Sequence, residues 1–171
     1  MPRYVALLRG VSPMNCKMPA LKKCLEDAGF TNVKTVLSSG NAVFDARKTA
    51  VTTLQRKCEQ AMAEGLERSF ATIVRPQEEL AALLDADPFA RFKLQPDAKR
   101  IVTFLRKPHA GALKLPIEMD NARILAVQGA EVLAAYVPDP GNPAFMRLIE
   151  KTFGKDVTTR TWDTVKKCVA A

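Results

Sequence analysis

Arg9, Ser12, Asn15, Ser38, Ser39 and Asn41 are residues whose types and spacing could do chemistry. A guanidinium offers a planar fork of donors matched to a phosphate or carboxylate, and nearby hydroxyls and amides add neutral hydrogen bonds that orient such a group. Arg160, two residues before the only tryptophan, Trp162, is a further candidate. Each also has an ordinary duty. Ser38-Ser39-Gly40-Asn41 has the composition a tight hairpin needs, since Gly tolerates positive φ and Ser and Asn bond their own backbone. Arg9 can pair with a carboxylate, and Trp162 can anchor the last helix with Arg160 stacked or ion-paired beside it.

Other chemistries have little to build on. The single histidine, His109, follows Pro108 with no neighbouring nucleophile signature, so a Ser-His-Asp or Cys-His triad has little to build on. The four cysteines, Cys16, Cys24, Cys58 and Cys168, form no C-x-x-C pair and read as buried free thiols. One histidine and no cysteine pair leave a zinc site short of ligands. Neither phosphate-cradling glycine motif occurs, and no cofactor is expected. Glu26-Asp27 and Glu78-Glu79 are adjacent carboxylates on amphipathic helices, where a solvated face explains them. A reaction here would use Arg9 and Arg160 as electrostatic clamps and Ser39 or Asn41 as hydrogen-bonding groups, without a nameable general base.

The elements that must position these residues follow from periodicity. Residues 4–8 are a nearly unbroken apolar run suited to a central strand, ended by Arg9-Gly10. A polar loop leads to a helix over 18–28, with Met18, Leu21, Cys24, Leu25 and Ala28 on one face and Gly29 as its stop. Strands over 32–37 and 41–45 flank the Ser-Ser-Gly-Asn turn. A long helix starts near Ala50, followed by a strand over 70–74 and a short helix with Pro76 in its first turn. Residues 87–98, with Pro88, Pro96 and several charges, read as a linker.

A similar order then repeats: a strand over 101–105, an irregular stretch, and a hairpin over 122–127 and 132–137 about Gln128-Gly129. Next comes a helix capped by Asn142, a short strand at 157–160, and a closing helix over 162–169 capped by Thr161. The reading is an α+β protein of two βαββαβ halves with antiparallel sheets, the second with a degenerate first helix. The first covers 1–86 with its following helix, the second 99–171. In such a sheet the first and third strands are antiparallel neighbours, which brings Arg9, Ser12, Asn15, Ser38, Ser39, Asn41 and the start of the first helix to one edge.

Composition narrows the partners. The chain has 171 residues, a 47% hydrophobic fraction and a net charge of +8; residues 1–75 hold 12 Lys+Arg against 6 Asp+Glu. No basic run exceeds two residues, and a basic surface that is merely solvated explains such a pattern. The absence of a signal-like start and of a long apolar span reads as cytoplasmic, with no membrane partner. RNA-recognition sheets stack bases on several aromatics within a basic-Gly-aromatic motif, and that motif is missing here, which argues against sequence-specific nucleic-acid binding.

Tyr4-Val5-Ala6-Leu7-Leu8-Arg9-Gly10, residues 25–30, Val33-Lys34-Thr35-Val36-Leu37-Ser38-Ser39-Gly40-Asn41 and Thr158-Thr159-Arg160-Thr161-Trp162-Asp163-Thr164-Val165 resemble the bacterial domain-of-unknown-function 1697 family along the whole chain. The resemblance implies a pair of ferredoxin-like subdomains and no particular activity. Many members carry Asn-Val-Gly-Gly after the Arg-Gly; here a shorter Ser12-Pro13-Met14-Asn15 stands there, so a glycine-lined anion cradle is not expected. Thr161 also sits where the family has Asn. The functional expectation is a protein that binds a small anionic ligand or a protein partner at the Arg9/Ser39/Asn41 edge. The alternatives are an enzyme acting on a small phosphorylated or acyl substrate, and non-specific nucleic-acid binding through the basic surface.

Overall fold

The computed structural model describes all 171 residues, which divide into two compact units: Met1–Asp85 with Lys166–Ala171, and Ala86–Val165. The first unit runs β1 (Arg3–Leu8), α1 (Met18–Asp27), β2 (Thr31–Val36), β3 (Asn41–Asp45), α2 (Val51–Gly65), β4 (Thr72–Pro76) and α3 (Gln77–Ala86, whose last residue lies past the unit boundary). Its sheet has the order β2-β3-β1-β4, and every pairing is antiparallel. Tyr4, Ala6, Leu8, Ala42, Phe44 and Val74 share one core with Leu21, Cys24 and Leu25 of α1 and Leu54, Cys58 and Met62 of α2. The intervening Val5, Leu7, Val43 and Ile73 are buried as well. A strand buried on both faces has no need of alternation, which is why residues 4–8 are apolar throughout.

An exposed edge strand would present a row of unpaired N–H groups. On β4 two of them are satisfied by α2: Thr72 N donates to Glu59 Oε2 at 2.9 Å and Val74 N to Gln55 Oε1 at 3.1 Å. Pro76 differs from its expected place. It ends β4, paired with Tyr4, and α3 begins at Gln77. A proline lacks the N–H that an inner strand needs, but β4 lies at the sheet edge, where that loss is tolerated.

The second unit runs through a 3-10 turn (Pro88–Arg91), β5 (Lys99–Leu105), β6 (Ile117–Met119), β7 (Ala122–Gln128), β8 (Glu131–Tyr136), α4 (Ala144–Phe153), β9 (Val157–Thr161) and the start of α5 (Trp162–Ala170). The sheet order is β6-β7-β8-β5-β9. Without β6, this order repeats that of the first unit. The repeat extends to single hydrogen bonds: Leu105 N donates to Ala130 O at 2.8 Å, as Leu8 N donates to Gly40 O at 2.8 Å. No first helix forms; an irregular stretch and the three-residue β6 take its place. Leu148 and Ile149 of α4 pack on Leu105, Ile124, Val132, Ala134 and Val157. Asn142 Oδ1 accepts from Ala144 N, and Thr161 Oγ1 from Thr164 N, as caps.

The stretch 87–98 therefore carries structure of its own. Phe89 is buried and meets the Trp162 ring edge-on, centroids 4.9 Å apart. The boundary between units falls inside α5, and the last residues are tied into the first unit. Gln77 Nε2 donates to the carbonyls of Cys168, Val169 and Ala171, and Arg3 Nε donates to that of Ala171. No helix is long and apolar enough to cross a membrane.

All four cysteines are buried and unpaired by disulfides. Burial pushes the Cys58 thiol up from 9.0 to about 12. The folded state thus keeps a proton that the unfolded chain releases, so this group's contribution is intact below pH 9 and is lost as pH rises toward 12. Urea unfolding should show stability falling over that window, with up to about 1.4 kcal/mol per pH unit due to this thiol. Cys58→Ala should flatten that slope relative to the parent chain, even though it lowers stability at neutral pH.

Candidate functional site

The register of the central strands assembles the expected rim. Leu7 lies opposite Asn41, Leu8 N donates to Gly40 O, and Arg9 N donates to Ala71 O at 2.9 Å. Arg9, half-buried, thus sits between the β2–β3 turn and the start of β4, while Ser38 and Ser39 are exposed on the turn. The loop after β1 closes over the same rim. Asn15 Nδ2 donates to Gly10 O at 2.8 Å, and Asn15 Oδ1 accepts from Ser12 N at 2.9 Å. Ser12 Oγ accepts from Met14 N. The start of α1 follows, with no side-chain cap and no acidic residue in its first turn.

The polar residues of the rim divide by what they already hold. Asn41 is fully buried, its Nδ2 donating to Val36 O at 3.0 Å and to Ser39 Oγ at 3.1 Å. Asn15 is likewise committed to backbone. These amides stitch the turn and the loop; Ser38 and Ser39 are exposed, Ser39 Oγ accepting from Asn41, and Arg9 is half-buried. Arg160 belongs to the second unit, on β9 opposite Val102, where its Nη1 donates to Thr159 O at 2.8 Å.

No catalytic pair emerges among the usual nucleophiles. Burial raises the Cys16 thiol, against the opposing effect of Arg68, and it raises Cys24 as well, so both stay protonated at neutral pH. His109 meets the Phe153 ring edge-on at 5.2 Å. No three His, Cys, Asp or Glu residues lie together in a way that would hold a metal ion.

A polar cluster at the opposite end of β1 escapes the sequence reading. Arg3 pairs with Asp45 at 2.9 Å and donates to Asn32 O at 3.0 Å, and Asn32 Nδ2 donates to Asp45 Oδ2 at 2.6 Å. These hydrogen bonds, from Asn32 first and Arg3 second, hold the Asp45 carboxyl below its usual range. The signal was available. Four residues back from Leu7 and four on from Asn41, the same antiparallel register puts Arg3 opposite Asp45.

Gly40 makes the rim possible. Its φ is +92°, and a Cβ there would lie 2.8 Å from Val11 Cβ and 3.0 Å from Leu8 Cβ. Gly10 has φ +80° with open space around it. Gly10→Ala should therefore cost only the backbone strain, about 1 kcal/mol. Gly40→Ala adds an overpacking penalty and should cost at least about 1 kcal/mol more. Urea denaturation of the two variants measures the difference.

Comparison with known proteins bears on this arrangement as follows. None of the curated proteins compared with the chain matches it. Among solved structures, the conserved bacterial protein SP0830 from Streptococcus pneumoniae superposes with a TM-score of 0.67 at 19% identity, over 99% of this chain and 97% of that one. At that identity the likeness establishes the fold alone. The model of a protein family of unknown function, DUF1697, matches residues 1–132. Those residues include both flanks of the rim, from Arg9 to Asn41, and on that match the chain belongs to the DUF1697 family.

Proposed function

We propose that the protein binds a small anionic ligand, bearing a phosphate or carboxylate, at the rim made by Arg9, Ser38 and Ser39. The observation that supports this reading is the register: with Leu7 opposite Asn41, the half-buried Arg9 follows at the same end of the sheet as the exposed Ser38 and Ser39. Arginine presents parallel N–H groups to two oxygens of an anion, and serine hydroxyls supply the weaker bonds that orient it. The start of α1, uncapped and without an acidic residue in its first turn, adds the positive end of a helix dipole to the same edge. Asn15 and Asn41 serve this site indirectly by holding the loop and the turn in place. Binding is the function assigned, because the rim offers an electrostatic clamp without a base to move a proton.

The test is a thermal-shift and calorimetric titration with inorganic phosphate and a panel of phosphorylated and carboxylated metabolites. At least one should raise the melting temperature of the parent chain. Arg9→Ala should weaken that ligand about tenfold or more, the loss of one charge-assisted pair. Ser39→Ala should weaken it less. A melting-temperature rise that persists unchanged in Arg9→Ala would refute the reading.

A further inference from the structure

The far end of the first sheet carries a second site of different chemistry. A cavity of about 660 Å³ opens there, lined by Arg3, Lys22, Glu26, Asn32, Lys34 and Asp45 among others. That volume lies within the range of small-molecule sites. Its lining includes the Arg3–Asp45–Asn32 cluster, in which Arg3 pairs with Asp45 and also donates to Ala171 O. The backbone is shaped to build that cluster. The β2–β3 pairing slips between Thr31 and Lys34, and Asn32 adopts φ 49°, a left-handed conformation. A bulge of this kind re-aims a side chain, here the Asn32 amide, onto Asp45.

The walls are different. Lys22 and Glu26 stand one turn apart on α1, a spacing that allows an ion pair, yet neither they nor Lys34 on β2 forms one within the chain. All three are exposed. The cavity is therefore lined by the paired charges of Arg3 and Asp45 and by exposed charges of both signs that form no salt bridge. The field of Glu26 reaches its helix neighbour Lys23, itself bonded to Asp27. A simple anion would meet Glu26, and a simple cation would meet two lysines. A molecule with a carboxylate and an ammonium close together satisfies both. We infer that the cavity bounded by Lys22, Glu26 and Lys34 binds a small zwitterion of the α-amino acid class, its carboxylate toward the lysines and its ammonium toward Glu26. This site is independent of the anion rim at Arg9, and either one can fail without the other.

The test uses the whole chain, labelled with nitrogen-15 and titrated with the twenty amino acids by two-dimensional NMR. L-alanine has two exact half-controls: propionate lacks its ammonium and ethylamine lacks its carboxylate. At least one amino acid should produce saturable shifts centred on the amides of Lys22 and of residues 32–34. The matching acid and amine should bind about tenfold more weakly or worse. Lys34→Ala, an exposed substitution, should weaken the amino acid. Glu26→Gln should erase the preference for the amino acid over its carboxylic-acid analogue. The proposal is overturned if no amino acid gives saturable shifts, if the shifts fall elsewhere, if the acid or amine alone binds as well, or if both variants bind like the parent.

Discussion

The antiparallel pairing of β1 with β3 on one side and β4 on the other is the constraint on which the first unit depends. Because β1 is buried on both faces, no slip of its register is free: a shift by one residue would exchange Tyr4, Ala6 and Leu8 for Val5 and Leu7 on the helix-facing core. Once the register is set, Arg9 must adjoin the hairpin turn and Arg3 must face Asp45. The two ends of one six-residue strand thus carry two polar sites of opposite design. One end brings Arg9 to the same edge as the turn that carries Ser38 and Ser39. The other pairs Arg3 with Asp45 and has the exposed charges of Lys22, Glu26 and Lys34 around that pair.

Much of the fold was legible because burial imposes period. The apolar run at residues 4–8, the Leu21/Cys24/Leu25 and Leu54/Cys58/Met62 stripes and the Ser38–Asn41 turn each have one physically sensible reading, and each forms the expected element. The misses have physical causes. Pro76 suits a first helical turn and an edge strand equally well, and only the pairing with Tyr4 decides between them. β6 is three residues long, too short for a period to register. The stretch 87–98 has the composition of a linker, yet Phe89 finds the Trp162 ring, a contact 73 positions away that no local pattern reveals.

The rim was legible in outline and ambiguous in detail. Topology alone brought residues 9 and 40 together. What it could not do was separate amides that face a ligand from amides that hold the backbone, because Asn41 and Asn15 have the same side chain in either role. The bonds from Asn41 to Val36 O and Ser39 Oγ, and from Asn15 to Gly10 O, resolve that in favour of the backbone. The Arg3 cluster went unread for a different reason: its bulge and the left-handed Asn32 follow no periodic rule, although the facing of Arg3 and Asp45 does.

Residues 166–171, tied by Gln77 and Arg3 into the first unit, make that unit discontinuous in the chain, with the whole second unit inserted between its parts. Residues 86–165 form a continuous module, so the two parts of the first unit are joined in the chain only through it. Both ends of the insertion are anchored in one host, which makes the module a loop of that host's chain. A cut within it would leave residues 166–171 held to the first unit only by bonds such as those from Gln77 and Arg3.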